Sequence, residues 1–389
     1  MFAKRTDWKM AQNELMARLE ALQKEGAEIL NLTESNPTRC QFSYPSNKIL
    51  PALADPQNMD YDPTSMGALK AREAVSAYYQ KKGLTVSAQN ILLTASTSEA
   101  YSFLFRLLFN PSEGILVPRP SYPLFEFLAQ LSDVDMAYYS LKYDGHWQID
   151  FDTLNDAINS NIRAIVLVNP NNPTGSLITP QELLKINELR RQKSIALICD
   201  EVFLDYSFNA GSASAKSLAR NDAVLTFTLG GLSKSMALPQ MKLGWITASG
   251  PEKLVENSLA RLEVICDTYL SVNTPVQNAL GRWLELLPVM QKEILSRVME
   301  NYKFLRQNII NDCTCLDVQG GWYAVLRLPS NRSEEEWVME FLEKDYTFVH
   351  PGYFFDFEDE PYIVMSLLPP AQVFKEGIKR VFNRVRKAT

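Results

Sequence analysis

One pattern narrows the possible folds of this chain more than any other. From about residue 65, short apolar runs alternate with segments of helical periodicity. The spacing predicts helix Ala68 to Lys82, strand Ile91 to Thr94, helix Glu99 to Asn110, strand Ile115 to Val117 and helix Leu124 to Leu131. It continues with strand Met136 to Leu141, helix Phe151 to Asn159, strand Ala164 to Val168, helix Pro180 to Gln192 and strand Ile195 to Cys199. Several of these strands are unbroken apolar runs, as expected where helices cover both faces of a sheet. The region therefore reads as α/β with a mostly parallel sheet. Ligands of such sheets bind beyond the carboxyl ends of the strands, so the residues that follow each strand are where chemistry is sought.

Five strand ends stand out. After Ile91 to Thr94, Ser96 and Thr97 open a helix, and hydroxyls with free N–H groups there suit a phosphate; a plain capping box explains them equally well. After Ile115 to Val117, Tyr122 in Pro118-Arg119-Pro120-Ser121-Tyr122-Pro123 offers a flat stacking surface. After Ala164 to Val168 comes Asn169-Pro170-Asn171-Asn172-Pro173-Thr174-Gly175, where two Asn-Pro steps constrain the chain and the Asn172 amide can donate to a ligand oxygen. Asp200 ends the next strand. It is either a solvated carboxylate or the group that keeps a pyridine nitrogen protonated. The apolar run Ala223 to Leu229 leads into Gly230-Gly231-Leu232-Ser233-Lys234. The glycines read as room for a flat ligand, and a desolvated Lys234 loses its proton readily and becomes a nucleophile or imine-former. A surface lysine beside a glycine turn is the plainer alternative. Asn172, Asp200 and Lys234, spaced by 28 and 34 residues at successive strand ends, can converge on one ring.

Outside this unit, residues 6 to 25 read as an amphipathic helix. Thr6 or Asp7 would cap it, Gly26 would end it, and Trp8, Ala11, Leu15, Leu19 and Leu22 form its stripe. A strand at Glu28 to Leu32 precedes the polar loop Thr33 to Arg39, either a turn or a pocket lining. After residue 288, a helix Met290 to Gln307, strand Gly321 to Leu328, helix Glu334 to Lys344, strand Tyr362 to Leu367 and a terminal helix from Val373 suggest a smaller α+β domain joined by the N-terminal segment. The expected division is 1–45 and 288–389 in the small domain and 46–287 in the large one. Tyr353, Phe354 and Phe355 read either as core or as an apolar pocket wall, and Asp356, Glu358, Asp359 and Glu360 as a solvated loop.

Charge and composition exclude other classes. A net charge of -6 gives no reason to expect nucleic-acid or membrane-surface binding, and no apolar run reaches spanning length. Five cysteines, mostly within apolar runs, fit reduced thiols of a cytoplasmic protein. With His146 and His350 the only histidines, a histidine-rich metal site is excluded, no metal is expected, and a serine–histidine–aspartate hydrolase is disfavoured.

Taken together, Asn169 to Gly175, Asp200-Glu201-Val202, Ser233-Lys234, and Tyr61 with Gly67-Ala68-Leu69 resemble the class I/II aminotransferases, enzymes of fold type I. The resemblance implies a seven-stranded-type sheet and pyridoxal 5'-phosphate bound to Lys234 as an internal Schiff base. Asp200 would pair with the ring nitrogen, Asn172 would reach the ring hydroxyl and Tyr122 would stack. Ser96, Thr97, Ser233 and Lys242 would join them around the cofactor, with Tyr61 supplied by a second copy in a homodimer. The implied partners are a small amino donor and a keto-acid acceptor. Alternatives on the same scaffold are a lyase, decarboxylase or cyclase, or a ligand sensor without turnover.

Four departures from the family pattern bear on this. Phe203 stands where a tyrosine is usual, three residues after the aspartate. Lys242 replaces an arginine eight residues after the lysine, and Gly231 replaces a hydroxyl residue three before it. Val364 occupies the place of the arginine that clamps the substrate carboxylate; Arg39, in the polar loop, reads either as its substitute or as a solvated loop arginine, and Asn36 in the same loop is a further candidate substrate contact.

Overall fold

The computed structural model describes residues 1–8, 10–193, 195–208, 217–358 and 361–388, with backbone alone for 190–193. Its first long helix begins later than the apolar stripe suggests. Lys4–Thr6 forms a single 3₁₀ turn and the α-helix runs Glu14–Lys24, capped by the Asn13 side chain, which accepts from the Leu15 N–H at 2.9 Å. Trp8 does not continue the stripe. Its indole N–H donates to Gln130 at 2.6 Å and its ring meets Phe127 edge-on at 5.7 Å, while Arg5 pairs with Asp133. These contacts hold the first residues against the helix Leu124–Leu131 instead.

A short strand β1 (Leu30–Asn31) follows, and then the main sheet: β2 (Ile91–Thr94), β3 (Gly114–Arg119), β4 (Asp135–Tyr143), β5 (Trp147–Ile149), β6 (Ile162–Val168), β7 (Ala196–Asp200), β8 (Thr226–Gly231) and β9 (Gly244–Ser249). Their order is β2-β9-β8-β7-β6-β3-β4-β5. Neighbours among β8, β7, β6, β3 and β4 are parallel, whereas β9 runs antiparallel between β2 and β8. Seven of these strands form a sheet of the expected kind, and β5 adds an eighth by folding back on β4. The apolar runs sit where reading them as two-faced strands puts them: Leu197, Ile198 and Cys199 of β7 are fully buried. Each such aliphatic side chain contributes about 1.5–3 kcal/mol of burial.

A second, antiparallel sheet has the order β10 (Thr314–Cys315), β11 (Tyr323–Arg327), β14 (Tyr362–Ser366), β13 (His350–Pro351). The helices Leu287–Gln307, Glu334–Asp345 and Ala371–Ala388 accompany it. Between β11 and β13, β12 (Thr347–Phe348) pairs in parallel with β1, with Leu30 opposite Thr347. The Ser366 N–H donates to Leu32 at 2.7 Å, and a Cβ at Gly377 would lie 2.8 Å from the Leu32 side chain. The segment after β13 reaches the main sheet. Glu358 pairs with Arg119 at 2.9 Å rather than standing free in a solvated loop, and the Ser121 N–H donates to Phe355 at 2.9 Å. Asp359 and Glu360 lie outside the described residues. All five cysteines are free, and among the described residues no helix is long and apolar enough to cross a membrane.

Candidate active site

The parallel register sets the site. Because β6, β7 and β8 end at the same edge, Asn172, Asp200 and Lys234 follow neighbouring strands there. Asn169 N–H donates to the Asp200 carbonyl at 2.8 Å, and Asp200 lies opposite Leu229 in β8. β9 starts at that edge because it runs the other way, which brings Lys242 there too.

Asp200 is half-buried at the end of β7. Its carboxylate accepts from the Tyr101 hydroxyl at 3.2 Å and from the Val202 N–H at 3.1 Å. Burial nonetheless pushes its pKa up to about 6, against the lowering by these donors and by the charge of Lys234. Burial pulls the Lys234 amine the opposite way, down to about 8, opposed by Asp200. The two groups feel each other without forming an ion pair. The neighbouring Glu201 is spent elsewhere, accepting from Leu218 N–H at 2.6 Å and from the Ser217 hydroxyl.

Of the three loop asparagines, two serve the loop. Asn169 accepts from the Ile178 N–H at 3.1 Å, and Asn171 donates to Pro120 at 3.1 Å and to Thr174 at 3.0 Å. Asn172 is buried, its amide oxygen has no partner among the described residues, and its amide is unspent. A buried, unsatisfied amide costs about 1–3 kcal/mol, a cost that a ligand atom can remove.

Ser96 caps the helix Thr97–Leu108, accepting from Glu99 N–H at 3.1 Å, while the Glu99 carboxylate accepts from Ala95 N–H at 2.7 Å and Ser271 at 2.6 Å. The capping reading is therefore realised, and the helix start keeps its free first-turn N–H groups beside it. The reason for the glycine pair differs from the sequence expectation. A Cβ on Gly230 would lie 2.5 Å from the Trp245 indole nitrogen, and one on Gly231 3.2 Å from Gly244 and the Leu243 carbonyl. Close packing of β8 on β9 excludes side chains there, whether or not a ligand is present. Beyond Gly231, the Thr97 methyl lies 3.8 Å from that Cβ position, so Thr97 stands over β8.

Tyr122 is 44% exposed and within reach of the Asp200 charge. Ser233 is half-buried beside Lys234, and Lys242 is exposed, with φ 52° in the left-handed region. Tyr61 is not drawn into this group. It is 79% exposed in a cleft lined by Thr64, Leu270, Ser271 and Gln277. The Asn36 side chain is turned to its own loop, accepting from Thr38 N–H at 3.1 Å and Thr38 hydroxyl at 2.8 Å, and Arg39 is exposed.

Opposite this floor lies the face of the second sheet that carries Val364. Val364 is fully buried, with Val325 and His350 as its cross-strand neighbours. Tyr323 shares that face. Its ring stands 6.2 Å from Phe203 and 6.4 Å from Phe355, with the Ser35 hydroxyl beside its own. His350 packs on Phe355 and Phe354 at 5.9 and 5.7 Å. The wall is aromatic and aliphatic where the family pattern has a guanidinium.

Two residues escaped the sequence reading. Tyr101 was signalled only by its place one turn into the helix that begins at a strand end. Trp322 was signalled by a second diglycine, Gly320-Gly321, immediately before a strand.

An α/β sheet presenting a half-buried lysine, a half-buried carboxylate and an unspent amide at adjacent strand ends has the layout of the aminotransferase fold. The model of the family described as aminotransferase class I and II matches residues 27–372, and the chain belongs to that family. It is 27% identical over 371 residues to the glutamate-pyruvate aminotransferase AlaA of Haemophilus influenzae, covering 92% of this chain and 91% of that protein. It is also 27% identical over 381 residues to an alanine aminotransferase of Mycobacterium bovis, covering 94% and 87%. The solved alanine aminotransferase of Pyrococcus furiosus superposes with a TM-score of 0.89 at 24% identity, covering all of both chains, and so shares the fold. The protein is an aminotransferase, acting on amino and keto acids.

Proposed function

We propose that this aminotransferase works with pyridoxal 5'-phosphate carried on Lys234. The observation that carries the reading is the Asp200–Lys234 arrangement: two half-buried groups of opposite charge, each felt by the other but not paired, beside an unspent Asn172 amide. A flat ring between them would give Asp200 a protonated nitrogen, and Asn172 a ring hydroxyl from which its unpartnered amide oxygen can accept. Tyr122 would cover one face, and the helix start at Ser96 and Thr97 would receive the phosphate with help from Ser233 and Lys242. The cofactor supplies an electron sink for charge at the substrate α-carbon. Lys234, with its amine pulled to about 8, is the base that moves the α-proton.

The wall around Val364 offers the substrate carboxylate no cation, so in this reading Arg39 holds it, with Asn36 fixing the turn. The exposed Tyr61 is assigned to the site of a second copy, which makes the working unit a homodimer. The segments 1–45 and 288–389 act as one unit against 46–287, and the cytoplasm is the compartment assigned. The names of the relatives make L-alanine, L-glutamate and pyruvate the first substrates to try. The test is absorption spectroscopy of the purified protein with these donors and, on a separate donor-free sample, borohydride reduction and peptide mapping. Conversion of the cofactor band by a donor, with the reduced label on Lys234, supports the proposal; a label on another lysine, or no band after reconstitution, overturns it.

A further inference from the structure

The surroundings of the Lys234 amine are aromatic on two sides. Its nitrogen lies 5.1 Å from a ring centroid of Trp322 and 5.3 Å from that of Phe203. The two rings meet edge to face at 5.2 Å with 74° between their planes, so they form a corner with the amine inside it. Tyr206 backs the corner. It meets Trp322 edge-on at 5.0 Å, and its buried hydroxyl reaches the carbonyls of Lys234 at 2.9 Å and Ser235 at 3.0 Å.

The chain goes to some length to place Trp322 there, although it comes from the second sheet. Gly321 N–H donates to the Tyr206 carbonyl at 3.1 Å, Phe208 N–H to Gln319 at 2.8 Å, and Gln319 N–H to Gly175 at 3.1 Å. A Cβ on Gly320 would lie 2.9 Å from Pro170 and 3.1 Å from the Tyr206 carbonyl. Trp322 is fully buried, and its indole N–H has no partner among the described residues. The backbone just before Trp322 is thus bonded to the loops after β6 and β7, which fixes the indole beside the lysine.

We propose that Trp322 and Phe203 form a two-sided π corner that holds the Lys234 amine and stabilises its positive charge, which makes Trp322 a catalytic residue in contact with the reacting nitrogen. The proposal rests on Lys234 being the reactive lysine. The negative faces of the rings attract a cation, and the attraction strengthens where water is excluded. It opposes the cost of burying the ammonium. Phe203, which lacks the hydroxyl usual in the family, can act on the amine only through its ring face.

The experiment measures the proton affinity of Lys234 directly. The full-length chain, stripped of cofactor, is labelled with trace acetic anhydride across pH, and the Lys234 peptide is followed by mass spectrometry. Trp322→Leu is expected to lower the titration midpoint by about half a unit to one and a half units, with Trp322→Phe staying close to wild type. Phe203→Leu is expected to lower it by a similar amount. An unchanged midpoint in a folded Trp322→Leu protein overturns the proposal, because a ring that only packs would leave proton affinity alone. If Trp322→Leu does not fold, Phe203→Leu decides by the same two outcomes. Failure here is distinct from failure of the cofactor assignment, since the labelling needs no cofactor and the borohydride map does not depend on proton affinity.

Discussion

The floor and the roof of the cleft are built on different principles. The floor is polar groups on a rigid parallel sheet: Asp200, Lys234 and Asn172 each follow a strand whose register is set by neighbours on both sides. The roof is a short antiparallel sheet whose facing side chains, Tyr323, Val325, Val364 and His350, are hydrophobic or aromatic, with the buried Ser366 as the exception on that face. The floor carries a carboxylate, an amine and an amide, whereas these roof side chains include no lysine or arginine. The difference teaches that polar groups and apolar surface reach this site from separate sheets, so each can be altered without disturbing the register of the other.

The comparison can be broken at several points. The largest effect is expected at the floor: Lys234→Ala should lower kcat by about 10²- to 10⁴-fold, measured by steady-state assay with the best donor. Retention within tenfold would remove the floor from the chemistry. At the roof, Val364→Arg should not restore a missing clamp. It places an unpaired guanidinium in a fully buried position and should cost about 3–5 kcal/mol in urea unfolding. A variant as stable as wild type, with tighter donor binding, would show instead that the roof is a vacant arginine slot. Arg39→Met should raise the donor KM about 10- to 100-fold with little change in kcat, as loss of a charge-assisted contact made equally before and during reaction. Unchanged KM would leave the carboxylate without its assigned partner.

Two smaller effects sharpen the floor itself. Phe203→Tyr, which returns the family's hydroxyl, should lower the pH midpoint of the bound-cofactor absorption by about one unit, the size of one ordinary hydrogen bond. The second concerns pH and stability. Asp200 titrates near 6 when folded, against an ordinary 3.8, so the folded protein holds this proton more tightly than the unfolded chain. That contribution is fully present below about pH 4 and is lost as pH rises through 6. In cofactor-free protein, Asp200→Asn should flatten this part of the profile of thermal midpoint against pH; an identical slope would mean that the carboxylate is not desolvated.

How far the sequence discloses this arrangement depends on how far apart the contacts lie. Asp200 and Lys234 are legible because the first ends an apolar strand and the second follows one by a single turn, and a polar residue at that edge needs no distant information. The helix Thr274–Glu285 carries an end signal, the Asn273 cap followed by Pro275, but no chemistry-bearing residue at the candidate site follows it or the helix Glu252–Tyr269. The N-terminal helix was overextended because Trp8 and Ala11 fit its periodicity, while the contact that decides, Trp8 to Phe127, is long-range. Gly230 and Gly231 were noticed for a correct physical reason, absence of room, but what fills the room is Trp245 and β9. Trp322 lay hidden for the same cause: only the folded chain shows that Gly320 lets its backbone against Pro170.

The pairing of β1 with β12 has a consequence for how the protein is made. Leu30 emerges from the ribosome 317 residues before Thr347, the residue it will face (347 − 30). At translation rates of roughly 5–20 residues per second, that is a wait on the order of 15–60 s. During that time the Leu15, Leu19 and Leu22 stripe has no C-terminal unit to lie against. The main sheet, complete at Ser249, can form meanwhile. The nascent chain thus carries a finished catalytic floor tethered to an apolar arm before any roof exists, and a translation pause between residues 250 and 347 would lengthen the exposure that a holdase must cover.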